Sequence, residues 1–219
     1  MIRWEVIVCL AVTVVSSSLA RIGSTSSQNR LPYTPVNVAF SIWGLIFPSL
    51  AAFAIRQNWS ASSIPLLSNI FLCVSLILSA VWAPVFSRGD PPSLIASSVL
   101  LFFSAIFSLA SVLLSSDAID KKRWMDVAFL EAPVQLYTGW LFLASTLGVG
   151  IALNAYYSLP DSVLLVPTLL ASGIGIWKSS PFILFPVLWG LSFVPSKTPV
   201  VQSCITLTTV SVVLSLFNR

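Results

Sequence analysis

The chain has 219 residues, of which 57% are hydrophobic and 8% charged, and its formal net charge is +4. A soluble domain carries about 25% charged residues, so this chain lacks the polar groups to cover a water-facing surface, and lipid is the solvent that accepts an apolar exterior. Eleven scattered Lys and Arg make no nucleic-acid footprint, and the lack of any histidine removes the commonest general base, metal ligand and haem ligand.

A spanning helix needs roughly 20 mainly apolar residues. Eight segments approach that length, at 4–20, 36–56, 65–87, 93–115, 126–154, 160–177, 180–194 and 199–217. They predict an all-α, polytopic transmembrane bundle. The first segment, with Arg3, then Val6 to Val15, then Ser18-Leu19-Ala20, imitates a signal peptide. The fifth is long enough to tilt. The seventh holds Pro181, Pro186 and Pro195 and is expected to be kinked or partial. The connections are short and carry charges or helix breakers, so no soluble domain is expected.

Eight spans put both termini on one side, with Arg3, Arg56, Lys121, Lys122, Arg123, Lys178 and Arg219. The other side holds Arg21, Arg30, Arg88 and Lys197. That bias favours cytoplasmic termini, and it makes Asn58-Trp59-Ser60 a cytoplasmic, unglycosylated sequon. Cys9, Cys73 and Cys204 are far apart and sit in apolar runs, which argues against a disulfide framework or a zinc site. Phe40–Phe47 and Phe185–Phe193 share a Trp-Gly-Leu-x-Phe core, too little for an inverted-repeat transporter.

Eight tryptophans are many for this length. Trp4, Trp59, Trp124 and Trp177 stand at segment ends, where an interfacial aromatic belt explains them. Trp43, Trp82 and Trp140 lie inside apolar runs. Helical spacing puts Ala39, Phe40, Trp43, Ile46 and Phe47 on one face, and Ser79, Trp82, Val85 and Phe86 on another. On the fifth segment Leu136, Tyr137, Trp140, Ala144, Gly148 and Ala152 form a stripe. Aromatic walls beside small residues suit a planar apolar ligand, and equally suit close helix packing.

Three stretches carry a family resemblance. Tyr33-Thr-Pro-Val-Asn-Val-Ala-Phe-Ser-Ile-Trp43-Gly-Leu-Ile-Phe47 resembles the entry into the second helix of the TspO/MBR family of tryptophan-rich sensory proteins. Ser79-Ala-Val-Trp82-Ala-Pro84-Val-Phe86 is similar to that family's Asn-Trp-x-Trp-Pro-x-x-Phe signature in the third helix. Leu136-Tyr-Thr-Gly-Trp140-Leu-Phe-Leu-Ala144-Ser-Thr-Leu-Gly148 resembles its fifth-helix pattern. The resemblance implies a five-helix core over residues 1–154, with residues 1–20 kept as its first helix. Residues 155–219 would add about three transmembrane helices. It also implies binding of a hydrophobic planar ligand, a tetrapyrrole such as a porphyrin or a sterol-like lipid, with no bound cofactor. Trp43, Phe47, Ser79, Trp82, Tyr137, Trp140 and Ala144 would form the ligand-binding set, and the loop from Arg21 to Pro35 its lid. Ser79 and Gly148 stand where the family often has Asn, Ala80 where it has a Trp, and Phe47 where it has a Tyr, which thins the polar part of the pocket.

Glu131 and Gln135, four apart on the fifth segment, form the polar site inside the spans. Intramembrane ionisable groups are functional candidates. Here a carboxylate near Asp126, pairing with Lys121, Lys122 or Arg123, is the favoured reading. A small-solute transporter using Glu131 and Gln135, with Pro133 disturbing the helix between them, is the rival. A membrane scaffold without a ligand is another. No nucleophile stands beside a base, so no enzyme is expected. Ser104, Ser108 and Ser111 suit either a homodimer contact or internal packing.

Overall fold

The computed structural model of the chain describes residues 4–20, 22, 25, 28–29, 31–59, 64–154 and 160–217. These form helices and no strand. They are α1 (Glu5–Leu19), α2 (Asn37–Arg56), α3 (Leu66–Phe86), α4 (Pro91–Ser115), α5 (Trp124–Asn154), α6 (Asp161–Trp177), α7 (Phe185–Ser192) and α8 (Pro199–Phe217). Among the described residues, α2, α3, α4, α5 and α8 are long and apolar enough to cross a membrane, whereas α1 and α6 are shorter.

Helices α1 to α5 close into a ring in the order α1, α3, α4, α5, α2. Helices α6, α7 and α8 pack on one another, and α6 and α7 also pack on α5. Helix α5 therefore has neighbours all round, and 78% of its most apolar window is buried. Large apolar side chains such as Val8, Ile77, Phe102, Leu169 and Val213 are exposed on the outside of the bundle, a surface that only lipid covers without cost.

The bonds between elements define two ends. At one, Arg56 finishing α2 pairs with Asp126 starting α5, Ser68 starting α3 bonds Ser111 near the end of α4, and Lys178 after α6 bonds Ser116 after α4. Arg56, Lys121, Lys122, Arg123 and Lys178 gather there, and this is called the basic end. At the other, Val36 before α2 donates to the carbonyl of Phe193 after α7, and Thr198 donates to Asp161. Arg88 and Lys197 belong to this opposite end. The chain starts α1 and finishes α8 at the basic end. Arg3, Arg21, Arg30, Arg219 and Ser60 of the sequon lie outside the described residues. Trp4, Trp59, Trp124 and Trp177 are 59–75% exposed, and all four sit at the basic end, forming a belt at one interface.

Prolines shape three of these helices. Pro84 has no N–H for the carbonyl of Ala80 four residues back, and Ser16 of α1 donates to that carbonyl at 2.5 Å. Thr13 adds a second bond from α1 to α3, to Leu76 O at 2.9 Å. The disturbance expected at Pro133 is a π-helical turn over Val127–Glu131, a form common at functional sites. Helix α4 starts two residues before the expected boundary, because Pro91 and Pro92 occupy the first helical positions and Asp90 caps them, accepting from Ser93 N at 3.1 Å.

The seventh segment crosses the bundle with only 8 helical residues, about 12 Å of helix. Helix α6 ends in a Schellman turn. Ser179 has φ 51°, and Ser180 N donates to Gly175 O at 2.8 Å. The chain then runs through Pro181–Leu184 without regular helix, pressed against α5. A Cβ at Gly139 would overlap the carbonyl of Ile183. Irregular backbone at this depth is tolerated where protein covers it. The Trp-Gly-Leu cores shared by α2 and α7 pack differently, since Gly44 has open space beside it whereas Gly190 seats against Leu143. Cys9, Cys73 and Cys204 are free thiols.

Candidate functional site

The half of the bundle away from the basic end holds an aromatic cleft between α1, α2, α3 and α5. Trp43, Ser79, Trp82, Trp140 and Ala144 all line it, and they leave a cavity of only about 50 Å³ between them. Ile22, Thr34 and Pro35, from the stretch expected to be a lid, line it too. Phe47 sits at a side opening together with Phe40, Trp43 and Trp82, where the cleft meets the α1–α2 flank. Tyr137 stands behind the wall, its ring 6.3 Å from that of Trp43.

The rings fill much of the cleft by packing on one another. Trp140 meets Phe40 edge-on at 5.8 Å and Trp43 edge-on at 6.1 Å. Trp43 stacks on Phe47 at 4.7 Å, and Trp82 on Phe86 at 5.4 Å. A flat ligand sandwiched between two rings needs about 7 Å between their planes, two stacking distances. A flat molecule would therefore fit between Trp43 and Trp140 only if the two rings parted. Aromatic contacts of about 0.5–1.5 kcal/mol per pair are exchangeable for similar contacts with a ligand.

Hydroxyls fix the wall behind. Ser79 Oγ lies 2.7 Å from Tyr137 Oη and 2.9 Å from Ser104 Oγ, and Ser75 Oγ bonds both Tyr137 and Ser104. Ser108 bonds Thr138 at 2.5 Å, and Ser111 bonds Ser68 at 3.0 Å. The α4 serine stripe thus faces α3 and α5 and makes internal packing. Ser98 of α4 donates to the carbonyl of Gly148 on α5 at 2.7 Å.

The C-terminal helices reach the entrance to α2 through Trp189, a residue whose part sequence reasoning missed. Its indole N–H donates to the carbonyl of Ala39 at 2.9 Å, in the 3-10 turn that opens α2. The bond from Val36 to Phe193 lies beside it. The repeat of Trp-Gly-Leu was the signal that singled this residue out. Tyr33 is 2% exposed, and its hydroxyl lies next to Gly150. Burial first, and the Asp161 carboxylate second, raise its pKa.

Glu131 and Gln135 lie apart from this cleft. Ser108 bonds Thr138 in antiparallel neighbours, so Glu131, seven residues before Thr138, lies level with Ser115 at the end of α4. That depth is near the boundary at the basic end, yet Glu131 is only 3% exposed. Gln135 Nε2 donates to Glu131 Oε1 at 3.1 Å, and Ser180 donates to Gln135 Oε1. Asp126, on the same stretch of α5, is fully buried and pairs with Arg56 at 3.0 Å and Arg123 at 3.8 Å. Among the described residues no group of three His, Cys, Asp or Glu stands ready for a metal ion.

Long apolar helices, a belt of tryptophan at one interface and an exterior of exposed aliphatics define a multi-pass α-helical membrane protein. The sequence matches the family described as TSPO-like protein over residues 3–218, and the chain belongs to that family. The match runs through α6, α7 and α8 as well as the five-helix ring. No curated protein and no solved structure matches the chain.

Proposed function

We propose that the protein binds a hydrophobic planar ligand, a tetrapyrrole or a sterol-like lipid, in the aromatic cleft, and carries or senses it without chemically changing it. The convergence of Trp43, Trp82 and Trp140, from three different helices, on one apolar space carries this reading. Family membership agrees with it. The cleft's side opening at Phe47 suits entry from the bilayer, where such ligands dissolve. The bias of Lys and Arg puts the basic end, with both chain termini, in the cytoplasm, and the cleft then belongs to the far leaflet. The five-helix ring forms the binding unit, and residues 155–219 form an added unit that braces it. A transporter centred on Glu131 is disfavoured by depth, because that residue sits level with the end of α4 and away from the bilayer centre.

The test is titration of the detergent-solubilised chain with protoporphyrin IX, followed by tryptophan fluorescence. Saturable quenching is expected, with affinity falling roughly tenfold or more in Trp140→Leu and in Trp43→Leu. Quenching that does not saturate, or that both variants leave untouched, would remove the cleft as the binding site.

A further inference from the structure

We propose that the cleft selects neutral planar ligands that present a hydrogen-bond acceptor, such as a carbonyl oxygen, to the indole N–H of Trp82. The proposal rests on the cleft being the ligand site and narrows what that site accepts.

Trp82 is 7% exposed, and its Nε1 is buried with no acceptor among the described residues. A buried donor left unpaired costs about 1–3 kcal/mol, and Trp usually finds a partner when buried. Stacking on Phe86 at 5.4 Å, with an interplanar angle of 25°, holds the ring in place, so it does not swing its N–H out to water. Of the wall's four hydroxyls among the described residues, those of Thr13, Ser79 and Thr34 are already engaged, and Ser17 is the fourth. Thr13 donates to backbone carbonyls, Ser79 belongs to the Tyr137 network, and Thr34 Oγ accepts from Leu31 N. A trapped water needs two to four polar partners, and this apolar wall supplies a poor set. An acceptor on a ligand that parts the rings removes the unpaired donor.

Charge is excluded by the same wall. Among the described residues no Lys or Arg lines the cleft, and a carboxylate buried without a counter-charge is strongly disfavoured. A ligand with acidic groups must leave them outside, at the mouth.

Three matched compounds test this by equilibrium dialysis of the full chain in detergent: 9-fluorenone, fluorene, and 9-fluorenone-4-carboxylate. The first two share a plane and differ in one carbonyl. Fluorenone is expected to bind about five- to tenfold tighter than fluorene, and the carboxylate weakest of the three. Trp82→Phe keeps the stacking ring and removes the N–H, so it should bring fluorenone and fluorene to equal affinity. Comparing the two ligands within each protein cancels their different partition into detergent. Equal binding of fluorenone and fluorene by the unaltered chain would overturn the proposal while leaving the cleft as a site. Binding by neither, or binding indifferent to Trp140→Leu, would overturn the cleft itself. A preference that survives Trp82→Phe would move the donor elsewhere and sink the assignment.

Discussion

Helix α5 is held in two different ways on two of its flanks. Toward α3 and α4 it is held by hydroxyls, with Tyr137 and Thr138 reaching Ser75, Ser79, Ser104 and Ser108. Toward the C-terminal helices it is held by shape. Gly139 accepts the backbone of Ile183, and Gly190 of α7 accepts Leu143 of α5. Hydroxyl bonds between membrane helices are worth about 0.6 kcal/mol on average, so that flank weakens in steps as bonds are lost. A backbone seated on a glycine has no such gradation, because the added carbon atom has nowhere to go. The cleft opens on a third flank, where rings rather than bonds or backbones make the contact, and that is the flank able to rearrange.

The strongest way to break this contrast is Gly139→Val. The new side chain would meet the Ile183 carbonyl, and the expected loss is about 3 kcal/mol or more, the upper end of overpacking. A large drop in melting temperature in detergent, with new protease cleavage around residues 178–184, would show α7 leaving α5. Unchanged melting would mean that the seat at Gly139 is not what joins them. Tyr137→Phe tests the hydroxyl flank and should cost about 1–2 kcal/mol. Combined with Ser104→Ala it should cost less than the sum, with a coupling above about 0.5 kcal/mol. Strict additivity would show separate bonds and no network. The smallest effect is expected at the start of α4. The Ser93 bonds to the exposed Asp90 carboxylate lower its pKa from the usual carboxylate value. A depressed pKa stabilises the fold above the unfolded value, and that contribution fades as pH falls through the folded one. Melting curves of the unaltered chain and Asp90→Ala should differ slightly at pH 6 and converge in acid. A gap that persists in acid would assign the effect to something other than this charge.

Much of the bundle is readable from the residues. Apolar length gives the long helices, and Pro181 and Pro186 announce that the seventh segment is only partly helical. Pro133 announces the turn before it. Trp4, Trp59, Trp124 and Trp177 stand beside polar residues and are exposed at one end of the bundle. What local pattern does not give is direction. Ser104 and Ser108 read the same whether they face a second copy or α3 and α5, because the choice depends on which helix packs on α4. The match of Gly139 to Ile183 and of Trp189 to Ala39 joins residues 44 and 150 positions apart, and no periodicity within one segment carries such information. Glu131 shows the same limit. Its closeness to Asp126 in the chain fixes its depth, but the covering of that site comes from Ser180, on a segment folded in from elsewhere.

The bonds from Trp189 to Ala39 and from Val36 to Phe193 also set an order of assembly. The Val36 amide and the Ala39 carbonyl that they satisfy flank the start of α2, far ahead of α7 in the chain. Those groups gain their partners only after some 150 further residues have been synthesised and inserted. Until α7 arrives, the entrance to α2 holds exposed backbone in lipid or borrows its bonds from elsewhere. The entrance to α2 is therefore completed only once α7 is in place, and a ribosome stalled before Trp189 leaves a ring of helices without those two bonds.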